Sequence, residues 1–473
     1  MIFKYARMVT RMKIKFPLVV VGAQWGDEGK GKIIDILAKD ADYVVRYNGG
    51  NNAGHTVVVD GEKYPLSLLP SGVLQEKNLC LAQGVVIDPA ILLQEINRFE
   101  KRGIKVKLMI DPRVQIVMPY HRELDRATEL WKGKKATGSL HLGIGYCYED
   151  KNNRFGIRFE DLIDVKLLKE KLVMFFPLKK RQIELVFGQK TELTVEKIYK
   201  EYVIYGKKLK KYLGDVSLII GGALIQRHSG KRSASRIVVN KKLRFRSPLR
   251  SSSFEGQASR NDNNQILFEG AHGTFLDGVF GTYPYTTAVY TISGGVFPYV
   301  GISPQKIYTL GVVKAYTTRV GNGPFPTEIF SEVGEKIRKS GSEFGTVSKR
   351  PRRCGWLDLP LLKTASRLSG FDYFVLTKLD VLSPLAKIKV CIAYNLGKKK
   401  ISEVPALVNE FKRCKPVYKE FTGWEKDISD IRKFKDLPKE VKTYIKFVEK
   451  SLDVPVKYIF VGPDRKQTIT TDD

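Results

Sequence analysis

Near the start of the chain, glycines alternate with charge of both signs in Gly22-Ala23-Gln24-Trp25-Gly26-Asp27-Glu28-Gly29-Lys30-Gly31-Lys32. Glycines let backbone N–H groups approach phosphate oxygens, and a helix starting just after them favours an anion. Lys30 can neutralise a transferring phosphoryl group, so the chemistry this spacing offers is phosphate binding and transfer. It is not a Walker A loop, because Gln24 and Gly31 stand where that motif needs a glycine and a Ser or Thr. With the metal-binding hydroxyl missing, Asp27 is the substitute as a hard oxygen ligand for Mg²⁺. The plainer alternative is a tight turn carrying a solvated lysine.

Two further groups fit a nucleotide enzyme. Phe374-Val375-Leu376-Thr377-Lys378-Leu379-Asp380 is an apolar strand ending in T-K-L-D, similar to the N-K-x-D element of guanine-binding proteins. A carboxylate there accepts from both guanine N1–H and N2–H, a donor pair adenine lacks, so Asp380 would select GTP over ATP. Lys349-Arg350-Pro351-Arg352-Arg353 is a basic run. It fits a solvated face, a nucleic-acid patch or a loop pairing with a small dicarboxylate, and its spacing does not choose among them.

These groups need a scaffold, and the apolar pattern supplies one. Leu18–Val21 reads as a strand before the glycine loop, with a helix from Lys32 to Leu37 after it. Further strands are expected at Tyr43–Tyr47, Val57–Val59, Val86–Ile87, Val216–Ile220, Ile266–Phe268, Tyr308–Val313, Phe374–Leu376, Ile388–Tyr394 and Tyr458–Val461. Helical patterns lie between them, at Pro89–Lys101, Leu361–Leu368 and Lys439–Leu452. The alternation predicts an α/β protein: a large central, mostly parallel sheet flanked by helices, P-loop-NTPase-like overall, with chemistry in loops at strand ends.

Composition sets the bounds. At 473 residues and 43% hydrophobic, the chain can bury a large core, which excludes intrinsic disorder and a disulfide-dependent miniprotein. Its five cysteines form no C-x-x-C pair and fit a reducing, cytoplasmic setting. No stretch is long and apolar enough to read as a membrane span. The formal charge of +31 first suggests a nucleic-acid partner. Two segments hold part of it. Residues 1–16 carry five basic and no acidic side chains and read as an N-terminal extension, disordered or a transit peptide. Residues 226–262 carry ten Lys/Arg, two acids and eight serines and read as a poorly ordered basic insertion in a single catalytic domain spanning 17–473.

Taken in order, Gln24–Lys32, Asn52-Ala53-Gly54-His55-Thr56, Phe268-Glu269-Gly270-Ala271, Gly281–Thr287, Thr318–Glu328, Arg350–Trp356 and Thr377-Lys378-Leu379-Asp380 closely resemble the adenylosuccinate synthetase family. The resemblance runs from about Val19 to Arg465, apart from the basic insertion.

It implies a homodimeric ligase that joins IMP and L-aspartate with GTP and one Mg²⁺ per subunit, through a 6-phosphoryl-IMP intermediate, on the route to AMP. Asp27 matches the base that takes the N1 proton of IMP and touches Mg²⁺, whose other protein ligand would be the Gly54 carbonyl. His55 matches the group on the transferring phosphoryl, beside Lys30. GTP would be held by Gly26, Gly29, Lys30, Gly31, Lys32 and Thr56, with Lys30 at its phosphates, and by Lys378, Asp380 and Gly462 at its base. IMP would meet Asp27, Asn52, Thr137, His272, Thr287, Arg350 and, across the dimer, Arg154. Val347, Arg350 and Arg352 match the aspartate loop, with Arg319 in the adjoining pocket.

The sequence departs from the family at three of these places. His272 stands for the usual glutamine, Val347 for a common threonine, and Ala136–Tyr146 replaces T-T-G-R-G-I-G-P without its arginine. These departures and the basic segment motivate a rival: a diverged nucleotide-binding protein of weak or lost catalysis whose insertion binds nucleic acid.

Overall fold

Alternation along Leu18–Gly22 (β1) explains its place in the molecule. All five residues are buried, Leu18 and Val20 in one apolar cluster and Val19 and Val21 in another. A strand that is apolar on both faces must be covered on both. The structure, a computed structural model, describes residues 14–228, 264–345 and 350–472.

The other strands of the main sheet are Tyr43–Arg46 (β2), Asn78–Leu81 (β3), Leu108–Ile110 (β4), Ile266–Gly273 (β5), Tyr308–Lys314 (β6), Tyr373–Thr377 (β7), Val456–Phe460 (β8) and Thr468–Thr470 (β9). Their order across the sheet is β9-β8-β7-β6-β1-β5-β2-β3-β4. Every pairing is parallel except β8 with β9. β1 lies at the centre, Leu18 opposite Tyr308 on one side and Leu267 on the other.

Helices cover both faces. Lys30–Ala38 (α1), Pro119–Lys132 (α2), Ile144–Asn153 (α3), Val165–Arg181 (α4) and Val195–Leu209 (α5) lie in the first half of the chain. Val216–His228 (α6), Leu359–Ser369 (α7) and Lys439–Leu452 (α8) follow. The face of α1, α2, α4 and α5 shares a core with Leu18 and Val20, while α6, α7 and α8 pack on the side of Val19 and Val21. Each fully buried aliphatic side chain here stabilises the fold by about 1.5–3 kcal/mol. A smaller sheet of Leu357–Asp358, Lys387–Leu396, Lys399–Ile401 and Lys415–Thr422 flanks the C-terminal half.

The expected strand at Val216–Ile220 is instead the start of α6. Asp215 Oδ1 accepts from Leu218 N at 3.0 Å and Asp111 Oδ2 from Val216 N at 3.2 Å, which caps a helix. Val216, Ile220, Ala223 and Leu224 are buried while Leu218 is exposed, the signature of a helix face. Residues 1–13 and 229–263, the latter holding most of the basic segment 226–262, lie outside the described residues. Among the described residues no helix is long and apolar enough to cross a membrane, and all five cysteines are free and buried.

Candidate active site

The loops that leave β1, β2, β5, β6, β7 and β8 open at one edge of the sheet, around the point where chain order reverses beside β1. This is where open α/β sheets bind ligands. The loop after β1 turns through left-handed backbone at Gly26 (φ 86°), Asp27 (60°) and Gly29 (93°) before α1 begins at Lys30. Asp27 has no glycine freedom to relieve that conformation, so the surrounding contacts must hold it.

Glu28 is the contact that does so. Its buried carboxylate accepts from Gln24 N at 3.1 Å, Gly26 N at 2.8 Å and Lys30 Nζ at 2.7 Å. Thr377 of β7 donates its hydroxyl to the Glu28 carbonyl at 2.6 Å. Gln24 Nε2 donates to the Tyr316 carbonyl at 3.0 Å, and Lys314 N donates back to Gln24 Oε1 at 2.9 Å. A Cβ at Gly22 would stand 2.3 Å from the Glu28 carboxylate, which explains the glycine.

His55 opens the strand His55–Val59 and lies over the first turn of α1, where a Cβ at Gly31 would come within 2.4 Å of its ring. Its Nε2 is 2.7 Å from Ser71 Oγ, and Ser71 donates to Glu269 Oε1 at 2.8 Å. Burial lowers its pKa, the Glu269 charge opposing. The 48–54 loop is held from beneath by buried Arg46, which donates to the Gly50 carbonyl at 2.7 Å and the Ser67 carbonyl at 2.5 Å. Asn52 Oδ1 accepts from Gly50 N at 3.3 Å. Gly54 is half-buried in this loop beside His55, and Thr56 is exposed one residue on.

His272 sits at φ 65° beside Gly49, with Nε2 buried and without a hydrogen-bond partner. Burial, with Lys30 and Arg46 adding to it, pulls its pKa down to about 3, so the ring is neutral at pH 7. Buried polar atoms are rarely left unpaired, and such an atom facing a cleft marks a ligand position.

Across the cleft, Arg352 Nε forms an ion pair with Asp27 Oδ2 at 2.7 Å, and Arg352 Nη1 donates to Glu343 Oε2 at 2.7 Å. Arg350 lies near the 136–139 loop, its Nη1 3.9 Å from where a Cβ of Gly138 would be. Thr137 donates to Glu129 Oε1 at 2.7 Å, and Gly138 N and Ser139 N also donate to that carboxylate. Burial raises the Glu129 pKa, and these hydrogen bonds outweigh it, bringing it to about 2. Arg319, buried under Trp25, donates to the carbonyls of Asn322 and Pro324 and to Thr282 Oγ1, so it shapes the 320–325 loop.

The other end of the cleft is formed by the loops after β7 and β8. Lys378 (φ 56°) donates to the Gly341 carbonyl at 2.5 Å and to Glu343 Oε1 at 3.0 Å. Asp380 is mostly buried; its Oδ1 has no hydrogen-bond partner, and burial raises its pKa. Lys32 Nζ points to this end, donating to the carbonyls of Gly462 and Gln467 at 2.9 Å each. Burial brings its pKa down to about 7, against the charges of Asp380 and Asp464.

Two of the sequence candidates make no side-chain hydrogen bond among the described residues. Arg154 is exposed at the C-terminus of α3 with φ 65°. Thr287 is half-buried, its N–H donating to the Leu276 carbonyl at 2.9 Å. Val347 falls outside the described residues. Sequence reasoning missed Glu28, Arg46, Ser71, Glu269 and Glu343 as site builders. The first had a local signal, an acid inside a glycine loop.

The comparisons with known proteins speak to the whole of this arrangement. A sequence model of the adenylosuccinate synthetase family matches residues 19–230 and 239–469. The chain belongs to the adenylosuccinate synthetase family. It is 44% identical over 457 residues to adenylosuccinate synthetase of Acetivibrio thermocellus, covering 96% of this chain and 99% of that one. With the Fusobacterium nucleatum synthetase it shares 45% over 453 residues, 95% and 98% of the two chains. Among solved structures, the fully ligated adenylosuccinate synthetase from Plasmodium falciparum superposes with a TM-score of 0.83 at 36% identity, over 96% of this chain and 99% of that one. A cyanophage S-2L succinoaminodeoxyadenylate synthetase, bound to dGMP and dATP, shares the fold at 17% identity and TM-score 0.57, over 97% and 96% of the chains.

Adenylosuccinate synthetases are ligases, and membership makes this chain a GTP-dependent enzyme of AMP biosynthesis that joins IMP to L-aspartate. Matches of this length favour the ligase over a diverged nucleic-acid binder. They also narrow the unmatched part of the basic segment to residues 231–238.

Proposed function

We propose that the cleft carries out the two-stage ligation with its residues in the following roles. Asp27 removes the N1 proton of IMP, so that O6 attacks the γ-phosphoryl of GTP and GDP leaves as the β–γ bond breaks. The 6-phosphoryl group formed there is the leaving group when the aspartate amine attacks C6, and phosphate departs. Lys30 and the first amides of α1 offset charge on the phosphates, and His55, over that helix turn, faces the transferring group. His272, neutral and with Nε2 unpaired, hydrogen-bonds near the 6-position where the family glutamine would. Asn52, Thr137, Thr287 and Arg350 would hold the IMP ribose and phosphate. Arg350 and Arg352 would face aspartate.

One observation carries the choice of nucleotide: Asp380 Oδ1 is buried without a partner at the base end of the cleft. Guanine's N1–H and N2–H pair supplies what that oxygen lacks, with Lys378 and Gly462 beside it. Among the described residues no cluster of three His, Cys, Asp or Glu side chains could hold a metal. Asp27 and the Gly54 carbonyl fit instead a Mg²⁺ that arrives with the nucleotide, since that ion is commonly held by one or two carboxylates plus substrate phosphates. When bound, it would supply charge neutralisation between the phosphates.

The enzyme would work as a homodimer in the cytoplasm. Exposure of Arg154 at the end of α3 supports its reaching a neighbouring subunit's IMP, and five buried free thiols fit a reducing compartment. The test is phosphate release from GTP. It should require both IMP and aspartate, and ATP should not replace GTP; release without aspartate, or equal use of ATP, would sink these assignments.

A further inference from the structure

Glu343 lies outside every role assigned above, yet more of the cleft's charge meets on it than on any of the candidates. The residue is fully buried. Its Oε1 accepts from Lys314 Nζ at 2.9 Å, from Lys378 Nζ at 3.0 Å and from the Tyr316 hydroxyl. Its Oε2 accepts from Arg352 Nη1 at 2.7 Å. The backbone is tied as well: Arg352 N donates to the Glu343 carbonyl at 2.9 Å, and Glu343 N to the Arg338 carbonyl at 2.9 Å.

Burial alone would raise the pKa of this carboxyl, but Lys314, Lys378 and Arg352 together hold it well below the usual carboxylate range. One negative charge thus faces three cations. Two of them belong to opposite ends of the cleft, Lys378 to the base-reading loop and Arg352 to the aspartate loop. The third, Lys314, is buried at the end of β6 and fixes the carboxylate to the sheet. Arg352 in turn reaches Asp27.

A buried carboxylate shared this way cannot satisfy one cation without altering its grip on the others. We propose that Glu343 is a positioning residue that couples guanine reading by Lys378 to aspartate reading by Arg352. When Lys378 turns toward a base, Glu343 is left to Lys314 and Arg352, and it holds the guanidinium in the orientation that receives a carboxylate. The proposal rests on the roles given above to Lys378 and Arg352.

The experiment is a double-mutant cycle on the full chain, with aspartate KM and kcat measured by phosphate release at saturating GTP and IMP. Lys378→Met is expected to raise aspartate KM by at least about threefold besides its effect on GTP. Glu343→Gln is expected to raise aspartate KM by about tenfold or more, with a smaller fall in kcat. In the double variant the contribution of Lys378→Met to aspartate KM should vanish. An unchanged aspartate KM in Lys378→Met, or effects that simply multiply in the double variant, would overturn the coupling. Should Glu343→Gln fail to fold, Glu343→Asp takes its place in the cycle, and the Lys378→Met measurement still decides. Failure of the underlying roles shows differently: wild-type enzyme would release no phosphate with all three substrates, or Lys378→Met would leave GTP KM unmoved.

Discussion

With the roles proposed above, the two ends of the cleft would bind one nucleotide in opposite ways. At the phosphate end, Glu28 already occupies the amides of Gln24 and Gly26 and the ammonium of Lys30, so the loop is held in shape by its own carboxylate. At the base end, Asp380 keeps a buried oxygen without a partner. A loop that is internally satisfied is preorganised and contributes rate, because nothing must be ordered when charge develops. An acceptor left unpaired contributes discrimination, because only a ligand with the right donors relieves it.

Four substitutions probe that contrast, and the largest effect is expected at the phosphate end. Asp27→Asn removes the proposed base and should lower kcat by about a thousandfold or more while GTP still binds. Substantial residual turnover, with binding followed by calorimetry, would contradict the role. Glu28→Gln should lower kcat by about a hundredfold, since loss of the charge frees Lys30 and the loop amides together. An activity within threefold of wild type would mean that Glu28 only fills space.

At the base end, Asp380→Asn should reduce kcat/KM for GTP by about 30-fold and raise that for xanthosine triphosphate, whose N1–H and O2 suit an amide better. Equal losses for both nucleotides would show that Asp380 does not read the base. The smallest effect belongs to His272→Gln, expected to keep kcat within about tenfold, because the neutral ring and the amide can both donate. His272 adds a pH test. Its folded pKa of about 3 lies below the ordinary 6.5, so the unfolded chain takes up a proton that the folded one refuses. Stability should therefore fall as pH drops below about 6.5, and His272→Gln should unfold at a higher temperature than wild type at pH 5 but not at pH 8.

How far the site could be read from the chain follows the same division. The strand, turn and helix from Leu18 to Leu37 were legible because apolar runs, glycines and charges lie next to one another. So was T-K-L-D, a strand ending in a carboxylate. Glu343 was not legible: its partners Lys314 and Lys378 lie 29 and 35 positions away, and only folding shows that they converge. Arg46 was hidden for a related reason, since its contacts are to carbonyls, which carry no sequence signal. The run Val216–Ile220 failed on length. Four apolar residues and a serine fit either a strand or one face of a helix, and the deciding pattern extends on past Gly221 and Gly222, which themselves read as a break.

The position of β1 has a consequence for how the protein is made. The strand that carries the phosphate loop leaves the ribosome early, but its neighbours β5 and β6 follow some 250 and 290 residues later. The salt bridge from Arg465 to Asp35 of α1, at 2.6 Å, spans 430 positions. A growing chain therefore carries the loop after β1 exposed and without its neighbouring strands until nearly all of the protein has been translated. Parallel pairings closed over such distances fold slowly and leave apolar edges open in the meantime, so expression at low temperature or with chaperone support should raise the yield of native enzyme.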